Sequence, residues 1–194
     1  MTRVPLTNMP VSDAQLATMP AMRAWLAQSE ATDALGQALA STRPPGAVVY
    51  LHGELGAGKS TLARALLREL GVTGAIRSPT YTLVERYPLT DAGQPAGEAL
   101  HLDLYRIADA GELDFLGLDD SEPGDNAATL WLVEWPERAH GQALPAPDMQ
   151  IQLDIHEAGR VATLRAASTA GRNWLARMSG PSLPRGSLQP FPES

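Results

Sequence analysis

Apolar positions recur in two registers along the chain, and together they predict alternating strands and helices. Leu62, Leu66 and Leu70, with Ala63 and Leu67, form one stripe at helical spacing, and Arg64, Arg68 and Glu69 lie off it. Residues 61–70 are therefore predicted to form an amphipathic helix. Gly71 follows where a left-handed helix cap belongs. Thr32 or Asp33 is placed to cap an earlier helix through Leu35, Leu39 and Ala40, which Pro44-Pro45-Gly46 ends. Leu16, Met19, Met22 and Leu26 also fall at helical spacing behind Ser12 or Asp13, so a further helix kinked or split at Pro20 is predicted up to Leu26. Residues 1–10 are expected to be extended.

Short apolar or β-branched runs at 47–51, 81–87, 99–103 and 130–134 predict strands. Residues 149–155 and 161–166 alternate and are predicted to pair as a hairpin turning near Ala158-Gly159. Residues 109–118 are expected to form short helical turns, Gly124 to Ala127 a turn, and residues 168–178 a closing helix. The polar Gly/Pro stretch 88–98 is predicted to be a loop. From Ser179 onward the Pro/Ser/Gly-rich composition predicts a disordered tail.

Chemistry enters between the strand at 47–51 and the helix at 61–70. Gly53-Glu54-Leu55-Gly56-Ala57-Gly58-Lys59-Ser60 fits the phosphate-binding pattern G-x-x-x-x-G-K-[ST]. The glycines let the backbone aim N–H groups at phosphate oxygens. Lys59 can reach the β- and γ-phosphates, and the Ser60 hydroxyl can ligate Mg²⁺. A buried strand before the loop and an amphipathic helix after it are the context this mechanism needs.

Phosphate binding alone does not define a reaction. Asp103 and Glu134 each end an apolar strand, and in an open α/β sheet ligands bind beyond the C-terminal strand ends. If both strands run parallel to the one feeding the loop, both carboxylates reach the phosphate edge, and either can be the acid that positions Mg²⁺. Ser78-Pro79-Thr80 is placed to bring a hydroxyl towards the γ-phosphate, and is equally an ordinary turn. Trp135 is either beside the nucleotide or a core aromatic. Arg106 either offsets phosphate charge or pairs with Asp103.

Composition excludes several other classes. The chain has 194 residues, a formal net charge of −7 and a pI near 5.0, which disfavours unaided gripping of a nucleic-acid backbone. It has no cysteine, so disulfides, thiol catalysis and Cys-type zinc sites are ruled out. The four histidines never fall at i, i+4. No run approaches the length of a membrane helix, and the N-terminus lacks a basic-then-apolar signal pattern, so a cytoplasmic protein is expected.

The motifs in order carry a resemblance. The glycine loop through Thr61, Ser78-Pro79-Thr80-Tyr81-Thr82-Leu83-Val84, His101-Leu102-Asp103-Leu104-Tyr105-Arg106 and Val133-Glu134-Trp135-Pro136-Glu137 together resemble the TsaE (YjeE) family over residues 30–166. That family is a small bacterial ATPase of tRNA threonylcarbamoyladenosine biosynthesis. The resemblance implies an α/β, three-layer P-loop NTPase-like fold with a central mostly parallel sheet and a C-terminal antiparallel hairpin. The chain's length predicts one domain, over residues 1–178, with 1–30 a less family-like extension. The resemblance also implies ATP and Mg²⁺ as cofactors, weak ATPase activity alone, and work with TsaD and TsaB, through which tRNA is engaged indirectly.

Site roles carried over are these. Glu54, Leu55, Gly56, Ala57, Gly58, Lys59, Ser60 and Thr61 bind the nucleotide, with Thr80 and Trp135 beside it. Ser60 and Glu134 are on the metal side, and Asp103 orients the attacking water. A small-metabolite or nucleoside kinase on the same loop is the competing reading. Asp109, Glu112, Asp114, Asp119 and Asp120 make a poor anion lid for it, and no Asn-Lys-x-Asp segment supports a GTPase.

Overall fold

The structure is a computed structural model that describes residues 20–79, 82–91, 94–107, 118, 129–139, 144–157, 159–179 and 189–190. In chain order the elements are β1 (Ala21–Leu26), α1 (Ser29–Thr42), β2 (Val48–His52), α2 (Lys59–Glu69), β3 (Val84–Asp91), β4 (Gln94–Asp103) and β5 (Thr129–Glu134). A 3₁₀ turn (Pro136–Ala139), β6 (Met149–His156), β7 (Gly159–Ala166), α3 (Thr169–Met178) and β8 (Gln189–Pro190) complete them.

The strands form one mixed sheet in the order β3-β4-β5-β2-β6-β7-β1-β8. Its centre, β4-β5-β2-β6, is parallel throughout, and both flanks are antiparallel. The central strands are apolar on both faces, as strands covered on both sides must be. Val49, Leu51, Leu130, Leu132, Ile151 and Leu153 join the core cluster that holds Leu35 and Leu39 of α1, Leu62 and Leu66 of α2, and Trp174 of α3. The alternate residues Val48, Leu100, Leu102, Trp131 and Val133 meet Leu104, Ile107, Ala139 and Leu144 instead. Among the described residues, then, all three α-helices cover one face, and the 3₁₀ turn and loops cover the other.

Gly36 sets the helix spacing on the first face. A Cβ there would lie 2.5 Å from that of Ala65 and 2.9 Å from its carbonyl carbon, so α1 and α2 touch backbone to backbone. α3 is capped by Ser168, whose hydroxyl accepts from Gly171 N–H at 2.9 Å. Trp174 in α3 is fully buried and donates Nε1–H to Thr42 Oγ1 at 3.1 Å.

Four expectations change. α1 begins at Ser29 behind Gln28, so Thr32 and Asp33 lie inside the helix and do not cap it. Residues 21–26 are a strand, not the end of a helix, paired antiparallel with β7 from Ala21↔Arg165 to Leu26↔Arg160. Met22 and Leu26 are four apart, a multiple of both the strand period and about one helical turn. With Ala24 between them they share one strand face, and Ala24 and Leu26 are buried. The predicted loop 88–98 belongs largely to β3 and β4. Pro88 is tolerated because β3 is the outermost strand, where one side needs no ladder N–H, and the register shifts between Pro88 and Thr90. The predicted tail departs from disorder at Gln189 and Pro190, which pair with Trp25 and Ala24. The predicted turns at 109–118 and 124–127, and the extended 1–10, lie outside the described residues except Leu118, which packs on the second face.

Candidate functional site

β2 ends at His52 and α2 begins at Lys59, so Gly53–Gly58 must reverse direction between a buried strand and a helix N-terminus. Gly53, Gly56 and Gly58 all take positive φ, at 135°, 81° and 107°. At Gly53 a side chain would also collide with the Leu153 carbonyl oxygen. A Cβ at Gly56 or Gly58 would meet no atom within 4 Å, because both border open cleft. Lys59, Ser60 and Thr61 at the start of α2 line this space, and a helix start offers unpaired N–H groups to an anion.

The cleft holds about 380 Å³ and is lined by Leu55, Gly56, Gly58, Lys59, Ser60 and Thr61 of the loop and helix, with Arg64, Ser78, Asp103, Tyr105, Arg106, Glu134 and Trp135. Parallel pairing explains the convergence. β2 pairs with β5 and β5 with β4, in a register that sets Asp103 opposite Glu134. Both carboxylates therefore leave the sheet at the edge where β2 feeds the loop.

Lys59 is buried and turned back on its own loop. Its Nζ donates to the Gly53 carbonyl at 2.6 Å and the Glu54 carbonyl at 2.9 Å, and lies 3.8 Å from the Trp135 ring centroid. Burial lowers the ammonium from its ordinary pKa, against the opposing pull of the Glu134, Glu137 and Asp103 carboxylates. Trp135 holds its post with a left-handed backbone, φ 59°, which for a bulky residue is strained. Its N–H donates to Leu51 O at 3.2 Å, and its ring packs 5.0 Å from that of Tyr105.

Glu134 is 2 % exposed. Oε2 accepts from the Ser60 hydroxyl at 2.9 Å, and Oε1 lies 2.7 Å from His101 Nε2. Asp103 Oδ1 accepts from Tyr105 N–H at 3.1 Å, and Oδ2 from the Ser78 hydroxyl at 3.5 Å. Burial first, then the Glu134 charge, raises the Asp103 pKa from its ordinary value, while the Tyr105 N–H, His101 and Lys59 oppose the rise.

This donor set fits a hydrated divalent ion beside phosphates. The Ser60 hydroxyl donates its hydrogen bond to Glu134, which leaves the hydroxyl lone pairs for a cation. Among the described residues no three His, Asp or Glu side chains form a metal cage, so an ion here would lean on phosphate and water, as Mg²⁺ does.

Of the residues expected from sequence, Leu55, Gly56, Gly58, Lys59, Ser60, Thr61, Asp103, Glu134 and Trp135 line the cleft. Glu54 and Ala57 do not. The Glu54 carbonyl accepts from Lys59 and from Ala57 N–H, and Ala57 is buried in the core. Thr80 lies outside the described residues. Sequence reasoning gave no role to Arg64, Tyr105 or His101. The signal for His101 was strand alternation: two residues before Asp103, it must share that residue's face of β4.

A glycine loop joining a parallel strand to a helix start, with two in-register carboxylates at the same edge, defines a P-loop α/β protein. Residues 26–163 match the family model described as "Threonylcarbamoyl adenosine biosynthesis protein TsaE". The chain belongs to the TsaE family. It is similar to the tRNA threonylcarbamoyladenosine biosynthesis protein TsaE of Haemophilus influenzae, 41% identical over 133 residues, covering 68% of this chain and 78% of that protein. The protein of the same name from Bacillus subtilis is 36% identical over 130 residues, covering 67% and 74%. Among solved structures, YdiB of Bacillus subtilis superposes with a TM-score of 0.66 over 84% of this chain and 96% of that one, at 24% identity, a likeness of fold.

Proposed function

We propose that this chain is the ATP-binding and ATP-hydrolysing subunit of tRNA threonylcarbamoyladenosine formation next to the anticodon, acting with TsaD and TsaB. The observation that carries the reading is the 2.9 Å bond between Ser60 and Glu134 beside Lys59 and Asp103, at the mouth of a glycine loop. Curated relatives named for this biosynthesis support it.

In this reading the loop N–H groups and the α2 start hold the phosphates. Lys59 exchanges the Gly53 and Glu54 carbonyls for phosphate oxygens. Ser60 and Glu134 hold the metal side, and Mg²⁺ when bound offsets phosphate charge. Asp103, with one oxygen fixed by Tyr105 N–H, takes a hydrogen bond from the attacking water and so orients it. Thr80 and Trp135 border the nucleotide. The net charge of −7 suits a subunit that reaches tRNA through its partners.

The test measures phosphate release by the purified chain, alone and with TsaD and TsaB, together with threonylcarbamoyladenosine formed on tRNA. Slow release alone, stimulation by the partners and a requirement for the chain in modification are expected. Phosphate transferred to a small acceptor, indifferent to the partners, would sink the reading. Glu134→Ala is expected to bind nucleotide and lose turnover.

A further inference from the structure

His101 has no assigned part in the site, yet it is completely buried and touches its central carboxylate. Glu134 spends one oxygen on the Ser60 hydroxyl at 2.9 Å and the other on His101 Nε2 at 2.7 Å. A carboxylate only accepts, so Nε2 carries the proton between them. The other ring nitrogen, Nδ1, is buried without a hydrogen-bond partner among the described residues. Among the described residues the ring's hydrogen bonding therefore runs through Nε2 to Glu134 alone. The strands enforce it: His101 lies on the same face of β4 as Asp103, which is paired in register with Glu134.

We propose that His101 is the positioning residue of this site. It clamps Glu134 Oε1 so that Oε2 stays on Ser60, and thereby keeps the Ser60 lone pairs turned to the cation position. Without the clamp, Glu134 has a bare buried oxygen and a rotamer no longer fixed from behind, and its hold on the Ser60 hydroxyl loosens. The effect falls on the metal side of the site. It spares the phosphate cradle of loop N–H groups, which His101 does not touch. Hydrogen-bond partners one step behind a metal-binding group commonly set affinity in this way.

The inference rests on the Mg²⁺–nucleotide reading above. Its test is calorimetric titration of ADP into the full chain, in EDTA and across a Mg²⁺ series, with thermal melts alongside. Two amide variants separate position from polarity. In His101→Gln the amide nitrogen reaches the place of Nε2, whereas in His101→Asn it stops near the place of Nδ1. His101→Asn is expected to bind ADP in EDTA as the wild type does and to need about 10- to 100-fold more Mg²⁺ to tighten that binding. His101→Gln is expected to restore the wild-type Mg²⁺ requirement.

An Asn variant with an unchanged Mg²⁺ requirement overturns the inference, as does one that weakens ADP equally with and without Mg²⁺. A folded Gln variant that needs about 10-fold or more Mg²⁺ than the wild type overturns it too, whether or not the Asn variant folds. Wild-type ADP binding indifferent to Mg²⁺ would instead overturn the nucleotide–metal reading itself, and this inference with it.

Discussion

Glu134 and Asp148 are carboxylates at opposite edges of the same parallel core, and both have two occupied oxygens. Asp148 precedes β6. It accepts from the Val48 backbone N–H at the start of β2 at 3.1 Å and from the Ser168 hydroxyl that caps α3. Its backbone joins in, donating to Val48 O and accepting from Ala167 N–H, each at 2.8 Å. Asp148 thus ties two strands and a helix together. At the other edge the two Glu134 carboxylate oxygens meet side chains, Ser60 and His101, and Ser60 opens on a cleft. The same chemistry closes the chain at one edge and aims a hydroxyl at the other. Loss of Asp148 should therefore be read in stability, and loss of groups at the Glu134 edge in turnover.

The sharpest break of this comparison is Lys59→Ala. Removing the cation proposed to meet the phosphates is expected to cost about 10²–10³ in ATP turnover, the scale seen when one electrostatic donor is deleted from a site. The melting temperature should move much less. Steady-state phosphate release and a thermal melt on the same preparation decide it; intact turnover would remove Lys59 from the chemistry. The mirror experiment is Asp148→Ala. It strands the Val48 N–H and the Ser168 hydroxyl, so about 3 kcal/mol of stability should be lost by denaturant unfolding. Nucleotide affinity of the remaining folded protein should be unchanged. A folded variant that loses nucleotide binding would show the two edges to be coupled.

How well each edge could be read from sequence follows from the same division. The glycine loop is legible because its constraints are local: Gly53 and Gly58 take positive φ within the same short loop that leads into Lys59. Asp103 and Glu134 are legible as the polar ends of apolar strands. Asp148 and His101 are not, because what each does depends on partners far off in sequence, Val48 and Ser168 for one and Glu134 for the other. β1 reads as a helix end in the sequence for a related reason. Its Met22-to-Leu26 spacing fits a helix as well as a strand, and only pairing with β7, some 140 residues on, selects the strand. Pro88 marks a loop in isolation and an edge strand in context.

A smaller effect sharpens the structural side. Ser168→Ala removes the α3 cap and one partner of Asp148, and should cost about 1 kcal/mol in unfolding free energy. Val48 N–H still holds Asp148 in that variant, so the loss should stay well below that of Asp148→Ala. Equal losses would mean that Asp148 acts only through the helix cap.

The smallest expected effect has the opposite sign. Burial raises the Asp103 pKa in the fold, so the folded chain binds its proton more readily than the unfolded chain does. Stability then falls as pH rises from the ordinary carboxylate range, about 4, through the raised folded value, and levels off above it. Asp103→Asn cannot ionise, and its Oδ1 can still accept from Tyr105 N–H. The variant should therefore melt above the wild type at neutral pH, with an advantage that shrinks as pH falls towards the ordinary Asp range. Its turnover should drop, because an amide orients water less well than a carboxylate. Stability gained and activity lost at one residue is what a charge kept buried for chemistry predicts. Melting curves that run parallel across pH would mean that Asp103 ionises as freely in the fold as outside it. The charge at that edge would then cost the fold nothing.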